Sequence, residues 1–163
     1  MLLPEPPLSL ETRARKPVPN EVKPERPKVA LAASVALFKQ LFPDAVLRSI
    51  TATYNCIGLI VASRRVWVDP EHLIRVLQED WHRQLRDATE AEPGDVVVYH
   101  DSNGEVCHAG IVVRKNVLIP GQPADPLIVL SKWGADGEYS HGLSRLPSSL
   151  GTPAQFWTDR RNP

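Results

Sequence analysis

The stretch that most limits the fold is a hairpin. Asp95-Val96-Val97-Val98-Tyr99-His100 and Glu105 to Arg114 are two β-rich runs separated by Asp101-Ser102-Asn103-Gly104. Asn-Gly between apolar runs supplies left-handed backbone positions and closes antiparallel neighbours. A third run, Pro126 to Ser131, follows the loop Pro120–Pro126, and Phe156 to Arg160 is read as a final strand or docked tail. The segment Trp133 to Glu138 reads as turn-rich, leading to His141.

The first half is helical in pattern. Leu31, Val35, Phe38 and Phe42 recur at helical spacing across Val29 to Phe42, and Pro43 stops the run. Val46 to Thr53 is a short extended lead-in. A second helix is expected from Cys56 to Val66, with Asn55 as its N-cap, because the asparagine oxygen can accept from N–H groups two or three positions on. Gly58, one turn in, costs helix stability of about 1 kcal/mol against alanine and implies the close approach of another backbone. Asp69-Pro70-Glu71 opens a third helix running toward Trp81 or Leu85. Helices first and an antiparallel sheet after them predict an α+β domain over residues 29–163. Residues 1–28 hold Pro4, Pro6, Pro7, Pro17, Pro19, Pro24 and Pro27 among charged residues, and predict an extended, solvated arm. Trp67, Trp81, Trp133 and Trp157 are read as core or rim aromatics.

Nineteen basic residues balance nineteen acidic ones, which gives no electrostatic footprint for nucleic acid or anionic lipid. The longest apolar run is too short to span a bilayer. No basic segment followed by an apolar core opens the chain, so an intracellular, cytoplasmic setting is expected, with a signal-independent export route as the other option. Two cysteines, Cys56 and Cys107, make no disulfide framework. No cofactor is called for. A metal site is not called for either, because zinc ligands usually come as close pairs at short fixed spacing.

The chemistry-bearing set is Cys56 and His108. A cysteine at a helix start meets unpaired N–H groups and the positive end of the dipole, which favour the thiolate. His108 on the return strand would face it as the base, with Gly110 leaving room beside the ring. A third polar group should hold the other ring nitrogen. Ser131 and His141 are the candidates carried forward, with Lys132 and Glu138 as competitors.

Asn55-Cys56-Ile57-Gly58-Leu59-Ile60, then Pro93-Gly94-Asp95, then Cys107-His108-Ala109-Gly110-Ile111 resemble, in order, the motifs of the NlpC/P60 cysteine peptidases and amidases of the papain-like superfamily. The resemblance covers roughly Asn55 to Ser131. It implies a papain-like core, Cys56 as nucleophile, His108 as base and a polar third member near Ser131. It implies a peptide or another amide or acyl compound as substrate. Asn55 stands where that family usually has Asp, and Ile57 where it usually has Ser. The competing expectation is a catalytically silent descendant that binds a partner.

Overall fold

The computed structural model describes residues 6–121 and 124–161. Its centre is one antiparallel sheet of seven strands: β1 (Val46–Ile50), β2 (Arg83–Gln84), β3 (Val96–His100), β4 (Val106–Lys115), β5 (Leu127–Lys132), β6 (Gly137–Gly142) and β7 (Thr152–Thr158). Their order across the sheet is β1-β6-β5-β4-β3-β7-β2. Helices α1 (Lys28–Leu41), α2 (Cys56–Val61) and α3 (Leu73–Glu79) pack around it. The mixed helix-and-sheet class expected from the sequence is what the chain adopts.

The hairpin forms where the turn chemistry placed it, with one difference. Only Gly104, at φ +82°, takes the left-handed region, and Asn103 does not. The Asp101 carboxylate replaces the second left-handed residue by accepting from the N–H groups of Asn103 and Glu105 at 2.8 and 3.0 Å.

Side-chain alternation along the strands divides the core in two. One face of the sheet carries Val96, Val98, Ala109 and Trp157, and packs against Cys56, Ile57, Val66, Val68, Leu73, Val76 and Leu77. The other carries Val97, Tyr99, Val112, Val129, Tyr139 and Phe156, with Trp133 at the end of β5. It is covered by Phe38 of α1, by Phe42 just past its end and by Leu143 and Leu146. There the Trp133 ring stacks on Tyr139 at 4.1 Å, and Phe38 and Phe42 meet the indole edge-on.

Several expectations are corrected. Residues 6–27 have no helix but are not a solvated leader. Val18 is buried in the Cys56-side core, and the Asn20 amide ties Leu8 to Val18. Thr12 donates to Glu79 at 2.9 Å, and Glu21 and Trp67 exchange two backbone bonds of 2.9 Å. A few well-spaced apolar residues and one asparagine suffice to dock an irregular segment that composition alone marks as extended. The part of that arm from Met1 to Glu5, with Pro4, lies outside the described residues, as do Gln122 and Pro123 of the 120–126 loop.

Helix α2 stops at Val61, well before Val66, because Ser63 and Arg64 turn into the left-handed region at φ +50° and +64°. The Arg64 N–H then closes on the Gly58 carbonyl, and its guanidinium reaches Glu138. Helix α3 ends at Glu79. Trp81 beyond it is 72% exposed, with Arg13 over its ring, and so is not a core aromatic. The turn-rich reading of Trp133 to Glu138 holds only as far as Asp136: Gly137 opens a full strand, β6, which runs past His141 between β1 and β5.

Candidate functional site

Cys56 occupies the first position of α2. Asn55 caps the helix, its side-chain oxygen accepting from Gly58 N–H at 2.9 Å and from Val68 N–H at 3.1 Å. Its Nδ2 donates to the Val68 carbonyl at 2.7 Å. That third bond explains the asparagine: an aspartate would set a second oxygen against a carbonyl oxygen, with no proton between them. Gly58 is required for the close approach it implied, since a Cβ there would lie 1.9 Å from the Val66 carbonyl oxygen.

The Cys56 thiol is almost wholly buried. Burial pushes its pKa up to about 11, against the opposing pull of the N–H groups of Ala109, Ile57 and Cys56 itself. It lines a cleft of about 530 Å³ shared with Asn20, Trp67, Cys107, His108 and Gly134. Cys107 is a free thiol too, its sulfur donating weakly to the Leu150 and Tyr99 carbonyls.

The expected pairing of Cys56 with His108 is not formed. Ala109 belongs to the apolar cluster that holds Cys56, so alternation turns the His108 side chain to the other face, while the residue itself still borders the cleft where β4 enters it. His108 pairs with Tyr99 across β3 and β4, and their rings lie 5.3 Å apart. Neither ring nitrogen of His108 has a hydrogen-bond partner among the described residues. Burial, with a smaller contribution from His141, lowers its pKa to about 3, so the imidazole is neutral. Gly110 leaves no room beside the ring either: a Cβ there would meet Val129 Cγ1 at 2.4 Å.

Ser131 and His141 are brought together, but with each other. The register pairs Gly110 with Ser131 and Val129 with His141, which sets both on the His108 face. Ser131 Oγ lies 2.7 Å from His141 Nε2, and His141 Nδ1 lies 2.7 Å from the Gly142 carbonyl. A carbonyl only accepts, so Nδ1 carries the proton and Nε2 accepts from the serine hydroxyl. Both residues are buried, and the pair joins β5 to β6. Burial lowers the His141 pKa to about 4, although its bond to Gly142 opposes the shift.

The polar groups on the cysteine's own face are the two competitors. Ser131 and Gly110 share the far face, so Lys132 and Ala109 turn together toward Cys56. Lys132 is fully buried, its Nζ donating to the Gly134 carbonyl at 2.7 Å and lying 5.2 Å from the Tyr54 ring. Burial lowers its pKa to about 8, opposed by Asp136, Cys56, Glu138 and Glu25. Burial acts to raise the Glu138 carboxyl, but the forked contact from Arg64 (2.8 and 3.0 Å) and the Tyr54 hydroxyl outweigh it and hold the pKa below its usual value. Sequence reading missed Arg64, whose role depends on an unusual backbone turn. It also missed Arg160, which forks onto buried Asp95 at 3.1 and 2.6 Å and gives the aspartate of Pro-Gly-Asp a structural role.

Among the described residues no cluster of three or more His, Cys, Asp or Glu side chains could hold a metal ion. No helix among them is long and apolar enough to cross a membrane. Residues 45–158 match the family model described as "Domain of unknown function (DUF7689)", and the chain belongs to that family. No curated protein and no solved structure matches the chain.

Proposed function

We propose that this domain is a binding module on an NlpC/P60-like, papain-like frame, whose Cys56 cleft holds an extended peptide or another amide-bearing segment without cleaving it. The observation that carries this reading is the parity of β4: Ala109 meets the cysteine, and His108 faces away from it. Attack by sulfur needs a thiolate and a group to take its proton. Here the thiol is held protonated, and no hydrogen bond links it to an imidazole. The cleft itself suits a chain-like ligand. One wall is the segment from Pro19 to Lys23, bridged to Trp67, and apolar Val68 and Pro70 alternate with polar Asn20 and Asp69 around it.

A second reading, a cysteine hydrolase, has specific support. The N–H groups of Ala109, Ile57 and Cys56 pull the thiol toward the thiolate, the kind of donor set an oxyanion site requires, and both nitrogens of His108 are unclaimed. In that reading Cys56 attacks a carbonyl and His108 takes the proton, which requires the imidazole to cross to the cysteine's side of the sheet.

An array of extended peptides probed with the wild type and with Cys56→Ala separates the two. The binding reading expects the same peptides held by both proteins, and intact after incubation. Cleavage of bound peptides by the wild type alone, or an acyl adduct on Cys56 by mass spectrometry, would establish the hydrolase and overturn the binding reading. No peptide held by either protein would also overturn it.

A further inference from the structure

The other end of β4 borders a second, larger cleft of about 740 Å³, well away from the one at Cys107 and His108. Its walls come from β1, the last residues of β4, the start of β5 and the turn after β6. Three arginines from three of these elements line it: Arg48, Arg114 and Arg145.

Two strands depart from regular pairing at this cleft. In β1 the register runs from Leu47 to Ser49 and skips Arg48. In β4 it runs from Val112 to Arg114 and skips Val113. A bulge adds an unpaired residue, bends its strand and re-aims the local side chains. Both bulges fall where the strand supplies an arginine to this concavity.

The arginines are largely uncommitted. Arg114 Nε reaches Asn116 Oδ1 at 3.1 Å, Arg145 Nε stands 3.9 Å from Asp125, and Arg48 has no side-chain partner among the described residues. Asp44 and Asp125 also line the cleft, so three positive charges face two negative ones. The floor, Val46, Ile128 and Ser140, carries no charge. A guanidinium presents a rigid fork of donors that matches carboxylate and phosphate oxygens in pairs. A ligand with one negative charge would balance the net charge but leave most of the forks unfilled.

The geometry points to this cleft as the binding site of a small, multiply charged oxyanion, a compound bearing phosphate groups or several carboxylates. Arg48 and Arg114 grip it from β1 and β4, on either side of β6 and β5 in the sheet, and Arg145 closes from the turn. Asp44 and Asp125 in the lining disfavour binding of a longer polyanion. The site is separate from the Cys56 cleft and independent of any chemistry there.

The test is isothermal titration of the full chain with pyrophosphate and with citrate, at constant ionic strength. Arg48→Gln, Arg114→Gln and Cys56→Ala are measured alongside. Expected is saturable binding of at least one anion, weakened about ten-fold by each arginine substitution, reduced by added salt and unchanged in Cys56→Ala. Pyrophosphate alone would define a phosphate ligand, and citrate alone a polycarboxylate. Both arginines are exposed, so the variants should melt with the wild type and remain readable. Absence of saturable binding of either anion up to about 5 mM, or binding undiminished in both arginine variants, would overturn the assignment.

Discussion

The two faces of the sheet are built from different materials. The Cys56 face is closed by two short helices and a docked irregular segment, and its edge carries charge: Lys132, Glu138 and Arg64 lie within one network. The opposite face is closed by α1 and a stack of aromatic rings, with two buried histidines kept neutral. Cys56 and His108 therefore sit one residue apart in parity, which decides more than their separation along the chain. A single step along β4 exchanges Ala109 for His108 opposite the thiol, and with it a packed wall for a base.

The largest effect that separates the faces is expected on acidification. The folded pKa values of His108 and His141, about 3 and about 4, lie below the ordinary value of 6.5. Above that ordinary value both states are neutral and the buried rings cost nothing extra. Below it the unfolded chain takes up protons that the folded chain refuses, so stability falls as pH drops toward the folded values. Each histidine contributes up to about 1.4 kcal/mol per pH unit, so the pair should remove about 4 kcal/mol between pH 6.5 and about pH 4.5. Urea unfolding across that range checks it, and His108→Gln should halve the slope. An unchanged slope would place the ring in water and break the contrast between faces.

On the cysteine face the largest expected effect is steric. Gly58→Ala drives a Cβ into the Val66 carbonyl and should cost about 3 kcal/mol, read as a loss in denaturant midpoint. Next comes Asn55→Asp, which retains the cap oxygen but loses the donor to Val68, and should cost about 1–3 kcal/mol. On the far face Ser131→Ala removes the hydroxyl that His141 Nε2 accepts from and should cost about 1 kcal/mol, with the thiol unaffected. If Ser131→Ala changed Cys56 reactivity, the two faces would be coupled rather than independent.

Much of this was legible in the chain. The Asn-Gly turn, the Asn55 cap, the glycine at position 58 and the helix ahead of Pro43 follow from local rules, and each appears within a residue or two of its expected place. Strand β6 was not legible: Gly137-Glu138-Tyr139-Ser140-His141-Gly142 lacks a β-branched residue and begins and ends on glycine. It is a strand because β1 and β5 flank it. The docking of residues 6–27 was hidden for a similar reason, as it rests on Val18, Thr12 and Glu21 meeting partners far along the chain. At the site, the candidates were found but not their grouping. Alternation assigns His108 and Ala109 to opposite faces with certainty, yet which of them meets α2 depends on the side of the sheet the helix crosses. No local pattern encodes that choice.

The Cys56 sulfur and the His108 ring lie on opposite faces of the sheet. The pH profile of Cys56 alkylation, measured in a Cys107→Ser background with and without His108→Gln, reads that separation. Expected is slow labelling near neutrality that is still rising above about pH 9, with profiles that overlay in the two proteins. Fast labelling that levels off below about pH 7, and that disappears with His108→Gln, would contradict it.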